Sequence, residues 1–143
     1  VEDLTGDGVF DITVVFQNGH GTGYAPEDIH IFDGVTLEEY KVEELYETIG
    51  NYVEFSADEN FCYIQIDSKT YTVDKSSLEP HYEKTDWWEK PYTSQIFTYY
   101  VEDKELIIEL PCQYTPSGIV GSIFAKYKFE NGEFIFSSAS YEK

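Results

Sequence analysis

The stretch that most clearly decides the fold is IVGSIFAKYKFENGEFIFSSAS, residues 119–140. Its centre, Asn131-Gly132, is the dipeptide best suited to a two-residue hairpin turn, because both positions of that turn need a positive φ. The flanking segments, 119–130 and 133–140, are rich in the aromatic and β-branched residues that favour strands. We therefore expect this stretch to form an antiparallel β-hairpin.

Shorter strands are predicted along the rest of the chain, because apolar residues recur there at every second position. The predicted strands are 10–17, 29–32, 52–55, 61–66, 70–74, 95–102 and 105–114. The turn at 67–69 should join 61–66 to 70–74 in a second hairpin. Residues 97–101 and 120–124 are apolar on both faces, so we expect their strands at the centre of the sheet.

The first strand shows the clearest alternation. Phe10, Ile12, Val14 and Phe16 take every second position, with more polar residues between most of them. We expect these four side chains to face the core, as in a strand with one buried face. The strand at 29–32 is expected to be its hairpin partner or a near neighbour.

One short amphipathic helix is predicted. Val42, Leu45, Tyr46 and Ile49 follow the spacing of a buried helix face, and Gly50 ends the pattern. The helix is expected to cover the sheet. All 143 residues are therefore predicted to form one mainly β (α+β) domain, a twisted antiparallel sheet folded on itself as a sandwich or barrel-like structure.

The chain is strongly acidic, with 28 Asp and Glu against 9 Lys and Arg and a formal net charge of -19. Such a surface repels phosphate backbones and anionic lipid headgroups, which argues against nucleic-acid partners and membrane contact. No apolar run approaches the ~20 residues that span a bilayer. Because the chain starts with neither Met nor a leader, we expect that a targeting segment has been removed.

The two cysteines, Cys62 and Cys112, share the apolar parity of their strands. Both are therefore expected to point into the core. Two inward sulfurs could meet as a disulfide, but free cysteine is also among the most buried residues. Two inert core thiols are the favoured interpretation.

Residues 3–11, DLTGDGVFD, have the pattern of a calcium-binding loop. Oxygen-bearing side chains stand at alternate positions, and glycine permits the tight turn. The predicted ligands are the side chains of Asp3, Thr5, Asp7 and Asp11 and the carbonyl of Val9. Three carboxylates predict weak affinity, on the order of 0.1 to 1 mM. The alternative is a simple turn that leads into the first strand.

An EF-hand is excluded, because its bidentate Glu would fall on Val14, inside the predicted strand. The loop instead resembles that of FG-GAP and VCBS-type repeat proteins, in which D-x-D/N/T-x-D-G-x-x-D runs directly into a β-strand. The wider stretch at 3–16, 19–23 and 29–34 resembles proteins of clostridial-type bacteria that are either secreted or anchored by a lipid, the latter being lipoproteins. The resemblance implies an extracytoplasmic location and an upstream lipidated cysteine, but it implies no activity.

An aromatic segment offers an alternative function. Its aromatic residues are His81, Tyr82, Trp87, Trp88 and Tyr92. On an exposed loop they could stack against sugars, and their carboxylate neighbours would suit carbohydrate recognition. The competing interpretation is that these rings pin residues 76–91, a polar connecting excursion, to the sheet.

Catalytic and zinc-binding patterns are not found. The chain contains neither G-x-S-x-G nor H-E-x-x-H, and His20, His30 and His81 lack zinc-ligand spacing. Residues 18–23 are rich in glycine but fit neither a P-loop nor a dinucleotide fingerprint, so a flexible hairpin loop is expected.

The leading hypothesis is thus a non-catalytic, extracytoplasmic calcium-binding domain of a bacterial envelope protein. It would serve a structural or interaction role, with protein or polysaccharide partners at the cell surface. The alternatives are a carbohydrate-binding module that uses residues 81–92 and a hydrolase of envelope polymers.

Overall fold

The computed structural model describes residues 1–19, 21–22, 24–78, 87–116 and 118–143. The strands are β1 (Asp11–Gln17), β2 (Tyr24–Ala25), β3 (Glu27–Asp33), β4 (Glu39–Val42), β5 (Val53–Ala57), β6 (Phe61–Ile66), β7 (Lys69–Asp74), β8 (Tyr92–Thr93), β9 (Gln95–Ile96), β10 (Thr98–Glu102), β11 (Glu105–Gln113), β12 (Ile119–Glu130) and β13 (Glu133–Glu142). The helical segments are α1 (Leu45–Thr48) and the 3-10 turns Ile49–Asn51 and Lys75–Ser77. None of the helices in these ranges is both long and apolar enough to cross a membrane.

β12 and β13 form the hairpin predicted from the sequence, within an eight-stranded sheet. The strand order is β1-β3-β4-β13-β12-β11-β10, and β8 pairs with the end of β11. Asn131 and Gly132 have φ values of 52° and 79°, as a tight hairpin turn requires. Asp103 and Lys104, with φ values of 51° and 63°, make the equivalent turn between β10 and β11.

The N-terminal part of this sheet joins the C-terminal part through parallel pairing of β4 with β13, with Val42 beside Phe134. Directly after β4, the Glu43 carboxylate accepts hydrogen bonds from the Tyr52 hydroxyl at 2.7 Å and from the Phe136 N–H at 2.8 Å. Hydrogen bonds to an ionised carboxylate are stronger than neutral ones. Glu43 therefore ties the helical segment to β13.

A three-stranded antiparallel sheet, in the order β5-β6-β7, contributes to the same core as the large sheet. Buried side chains of the two sheets include Val53, Ile64, Ile66 and Val73 from the small one and Ile31, Leu106, Ile108, Leu110, Ile123 and Phe134 from the large one. Cys62 and Cys112 both point inward, as predicted, and both are free thiols. Burial raises the pKa of each thiol, to about 12 for Cys112, so both favour the unreactive protonated form.

The predicted fold class is confirmed. Strands make up 60% and helical segments 8% of the structure, and the large sheet is not closed into a barrel. The sheets are not antiparallel throughout, because β4 and β13 run parallel, as do β2 and β9. The helix is shorter than predicted, since Val42 belongs to β4.

The central position predicted for residues 120–124 is confirmed, but the one predicted for residues 97–101 is wrong. β12 lies between β13 and β11, whereas β10 ends the strand order. Phe97 and Tyr99 are nevertheless buried, and Phe97, just before β10, stacks on Tyr46 of α1 with ring centres 4.6 Å apart.

β1 pairs with β3 in an antiparallel hairpin, as predicted, but the predicted buried face is wrong. Residues expected to face the core but found exposed are Phe10, Val14 and Phe16, at 66%, 42% and 46%. Asp11, on the opposite face, is completely buried. The reason is the register, which places Thr13 opposite Ile31, a fully buried residue of β3. Cross-strand neighbours share a face, so Thr13, and with it Asp11, lies on the inward face that Ile31 defines.

Candidate metal centre

Residues 1–10 fold back beside the first residue of β1. The N–H of Asp11 donates to the carbonyl of Glu2 at 2.8 Å, which forms an isolated β-bridge. The Glu2 side chain in turn accepts a hydrogen bond at 3.0 Å from the N–H of Lys104, in the turn between β10 and β11. These contacts hold the loop against the sheet and bring its side chains to the start of β1.

Asp11 is the last residue of this loop and the first of β1, and it is 0% exposed. One carboxylate oxygen, Oδ2, accepts hydrogen bonds from the N–H groups of Leu4 at 2.8 Å and Thr5 at 3.1 Å. Among the described residues, the other oxygen, Oδ1, has no hydrogen-bond partner, and neither does the buried Thr5 hydroxyl. Since buried polar atoms are nearly always paired, these two oxygens are candidate ligands for a cation.

Asp3 and Asp7 shape the loop through its main chain. The two oxygens of Asp3 accept hydrogen bonds from the N–H groups of Gly6 at 2.7 Å and Gly8 at 3.0 Å, and Asp7 Oδ1 accepts from the N–H of Val9 at 2.8 Å. Gly6 and Gly8 have φ values of 81° and 88°, which glycine adopts readily. A carboxylate oxygen that accepts one hydrogen bond retains a second lone pair. Asp3 and Asp7 therefore keep the capacity to bind a cation.

The loop lies against the turn that follows β3. A β-carbon on Gly34 would come within 1.9 Å of the Phe10 carbonyl oxygen, far inside the contact distance. Gly34 therefore allows the backbones of the loop and the turn to approach each other directly.

Asp33 is a residue of this region that sequence reasoning missed, because its sequence context indicates only a turn. It stands opposite Asp11 in the register, so the two carboxylates lie on the same face. The N–H groups of Thr36 and Val35 donate to Asp33 and hold its pKa below the ordinary value. Burial and the hydrogen bond to Asp33 raise the pKa of Tyr40 to about 12. Negative charge is thus concentrated at the start of β1.

The predicted ligands lie in one loop that is folded by its own hydrogen bonds, but the loop does not hold them as a preformed cluster. Within the described ranges, no group of three or more His, Cys, Asp or Glu side chains is arranged to hold a metal ion. The residues nevertheless fit calcium in the chemistry of their donors, because all are oxygens and two are buried without partners.

Comparison of the chain with models of protein families, with curated proteins and with solved structures finds no match.

The aromatic segment is described only in part, since residues 79–86 lie outside the described ranges. Trp87 packs against the core, with its ring 4.3 Å from that of Tyr114. Trp88 and Tyr92 are 37% and 47% exposed, and their ring centres lie 6.3 Å apart. Tyr92 also lines a groove of about 710 Å³. Polar residues that line the same groove are Asn51, Glu54, Gln65, Asp67 and Lys90.

His30 has a structural role. It lies on the outward face of β3, where its ring stacks on Phe16 at 5.4 Å and its Nδ1 contacts the carboxylate of Glu39. His20 and His81 lie outside the described residues, as does part of the predicted glycine-rich loop.

Proposed function

We propose that the loop of residues 3–11 binds one calcium ion and that the chain is a non-catalytic, calcium-stabilised structural or interaction domain. The ligands are the side chains of Asp3, Thr5, Asp7 and Asp11 and the carbonyl of Val9. Weak affinity of the order expected for extracellular modules suits an extracytoplasmic domain, where partners would be proteins or polysaccharides of the cell surface.

The observation that carries this proposal is the pair of buried, unpartnered oxygens, Asp11 Oδ1 and Thr5 Oγ1. Leaving a carboxylate oxygen buried without a partner is costly. A calcium ion would supply the missing interaction, because it prefers oxygen ligands and tolerates irregular coordination. It would also offset the negative charge that Asp11 and Asp33, partners in the strand register, place at the start of β1.

The physical role of the ion would be to fix the start of β1. The bound state requires the folded loop, so calcium stabilises the native state by mass action. With calcium at ten to a hundred times the dissociation constant, the expected gain in the free energy of unfolding is about 1.4 to 2.7 kcal/mol.

Replacing Thr5 by valine tests the site, because the difference in stability between variant and wild type should change sign when calcium is added. In EDTA, the free energy of unfolding of Thr5→Val should equal that of the wild type or exceed it by up to about 1 kcal/mol. The reason is that a methyl group replaces a buried hydroxyl without a partner. In calcium, the same variant should be less stable than the wild type, because a ligand is lost. Urea unfolding followed by circular dichroism, with and without calcium, measures both differences.

Magnesium at the same concentration is the control for general charge screening, because Mg²⁺ demands a stricter octahedral geometry. The wild type should respond to calcium clearly more than to magnesium. An equal response to both ions, or a calcium response in Thr5→Val that matches the wild type, would refute the site.

Carbohydrate binding is a second candidate function, supported by the exposed rings of Trp88 and Tyr92 beside the groove. Replacing Trp88 by alanine should weaken binding to a polysaccharide by about tenfold, the effect of losing one stacked ring. Tyr24→Ala is the matched control, since Tyr24 is 45% exposed elsewhere. Affinity electrophoresis against a panel of cell-wall polysaccharides measures the change. If no polysaccharide of the panel slows the migration of the wild type, this candidate function is wrong.

A further inference from the structure

β1 forms one end of the large sheet, and its free edge carries unpaired main-chain groups. Among the described residues, β3 is its only strand neighbour. The Asp11 N–H points away from β3, because it donates to Glu2. Every second residue of a strand directs its N–H and C=O to the same side. The groups of Thr13, Val15 and Gln17 therefore point outward at this edge.

The side chains along this edge are also suited to strand pairing. Residues 12–17, ITVVFQ, contain no charge and no proline, which are the usual devices that keep the edge of a soluble sheet unpaired. Val14 and Phe16 are exposed on one face and Val15, at 38%, on the other. The edge thus offers apolar contacts on both faces of an added strand.

Acidic residues flank this uncharged stretch. Glu2 lies beside its beginning, while Asp28 and Glu27 stand opposite Phe16 and Gln17 at its end. An added strand would lie about two strand spacings, roughly 10 Å, from Glu27 and Asp28, which is about one Debye length at physiological salt. Both ends of the edge therefore favour a partner with positive charges.

We infer that the free edge of β1 binds an extended segment of a partner protein, with an uncharged, alternating centre and Lys or Arg at both ends, which adds a strand to the sheet. This mode combines main-chain hydrogen bonds with side-chain contacts on alternate faces. A second copy of the chain fits less well. In an antiparallel pair of β1 strands, the Glu27 and Asp28 end of one copy would meet the Glu2 end of the other, and each copy carries a net charge of -19.

The test uses a fluorescent peptide with a centre of alternating valine and threonine and two lysines at each end. We expect saturable binding, measured by anisotropy, that weakens as salt is raised. Two control peptides should each bind at least about tenfold more weakly. One has glutamates at both ends, and the other has N-methyl groups on alternate residues. Loss of binding on N-methylation would show that main-chain hydrogen bonds are used.

Two variants place the peptide on the edge. Val15→Pro removes an outward N–H without removing a hydrogen bond to β3, and Val14→Lys adds a like charge beside the peptide. Each should weaken binding about tenfold, while Ile119→Lys should not, because Ile119 is equally exposed, at 44%, in another strand. Circular dichroism checks that the variants are folded.

Three outcomes would overturn the inference. The first is no binding of the lysine peptide at low salt. The second is binding that Val15→Pro and Val14→Lys leave unchanged. The third is concentration-dependent dimerisation of the wild type, seen in sedimentation and abolished by Val15→Pro, which would show that a second copy occupies the edge.

Discussion

Asp11→Ala is expected to lower the free energy of unfolding by about 2 to 4 kcal/mol in EDTA, because the N–H groups of Leu4 and Thr5 lose their charged acceptor inside the protein. It should also abolish the proposed stabilisation by calcium, since the proposed ligand Asp11 Oδ1 is the carboxylate oxygen that lies buried without a partner. Urea unfolding in EDTA and in calcium measures both effects, and isothermal titration calorimetry measures binding.

Asp58→Ala is the matched control for this experiment. Asp58 also accepts two main-chain hydrogen bonds, from Asn60 at 2.9 Å and Phe61 at 2.8 Å, but it is exposed and lies between β5 and β6. Its replacement should cost less stability and leave the calcium response intact. Asp11→Asn adds a stricter comparison, because it keeps the shape and removes the charge. A full calcium response in Asp11→Asn would contradict the proposed role of the carboxylate.

Gly34→Ala is expected to have a similarly large effect through backbone contact alone. The new methyl group would lie 1.9 Å from the Phe10 carbonyl oxygen, so either the loop or the turn must move. We expect a loss of about 3 kcal/mol in the free energy of unfolding and a weaker calcium affinity, because the displaced loop carries the proposed ligands. Thermal unfolding and calcium titration of the same sample measure both.

The control is Gly50→Ala, where a β-carbon would meet nothing within 4 Å. That variant should be close to the wild type in stability and in calcium response. If Gly34→Ala matched Gly50→Ala in stability and in calcium response, the close approach of the turn to the loop would be wrong.

Local features of the fold were predictable from the sequence. The hairpin at Asn131-Gly132 was predictable because that turn selects its own residues, and the inward direction of Cys62 and Cys112 because each shares the parity of a clearly apolar strand. The presence of Asp3, Asp7 and Asp11 in one loop follows from their closeness in sequence.

Features that depend on distant residues were not predictable in this way. The outward face of β1 is decided by Ile31 on another strand, not by the alternation within β1. The proximity of Asp33 to Asp11 depends on the same register. The burial of Asp11 depends on main-chain donors from Leu4 and Thr5, which composition and periodicity do not reveal.

β4 is synthesised long before β13, the strand that lies beside it in the sheet. The Glu43 contact with Phe136 spans 93 positions of sequence, so the first hairpin cannot dock on β13 until residue 136 has been synthesised. Closing such a distant pairing costs chain entropy before any contact rewards it, which makes folding slow.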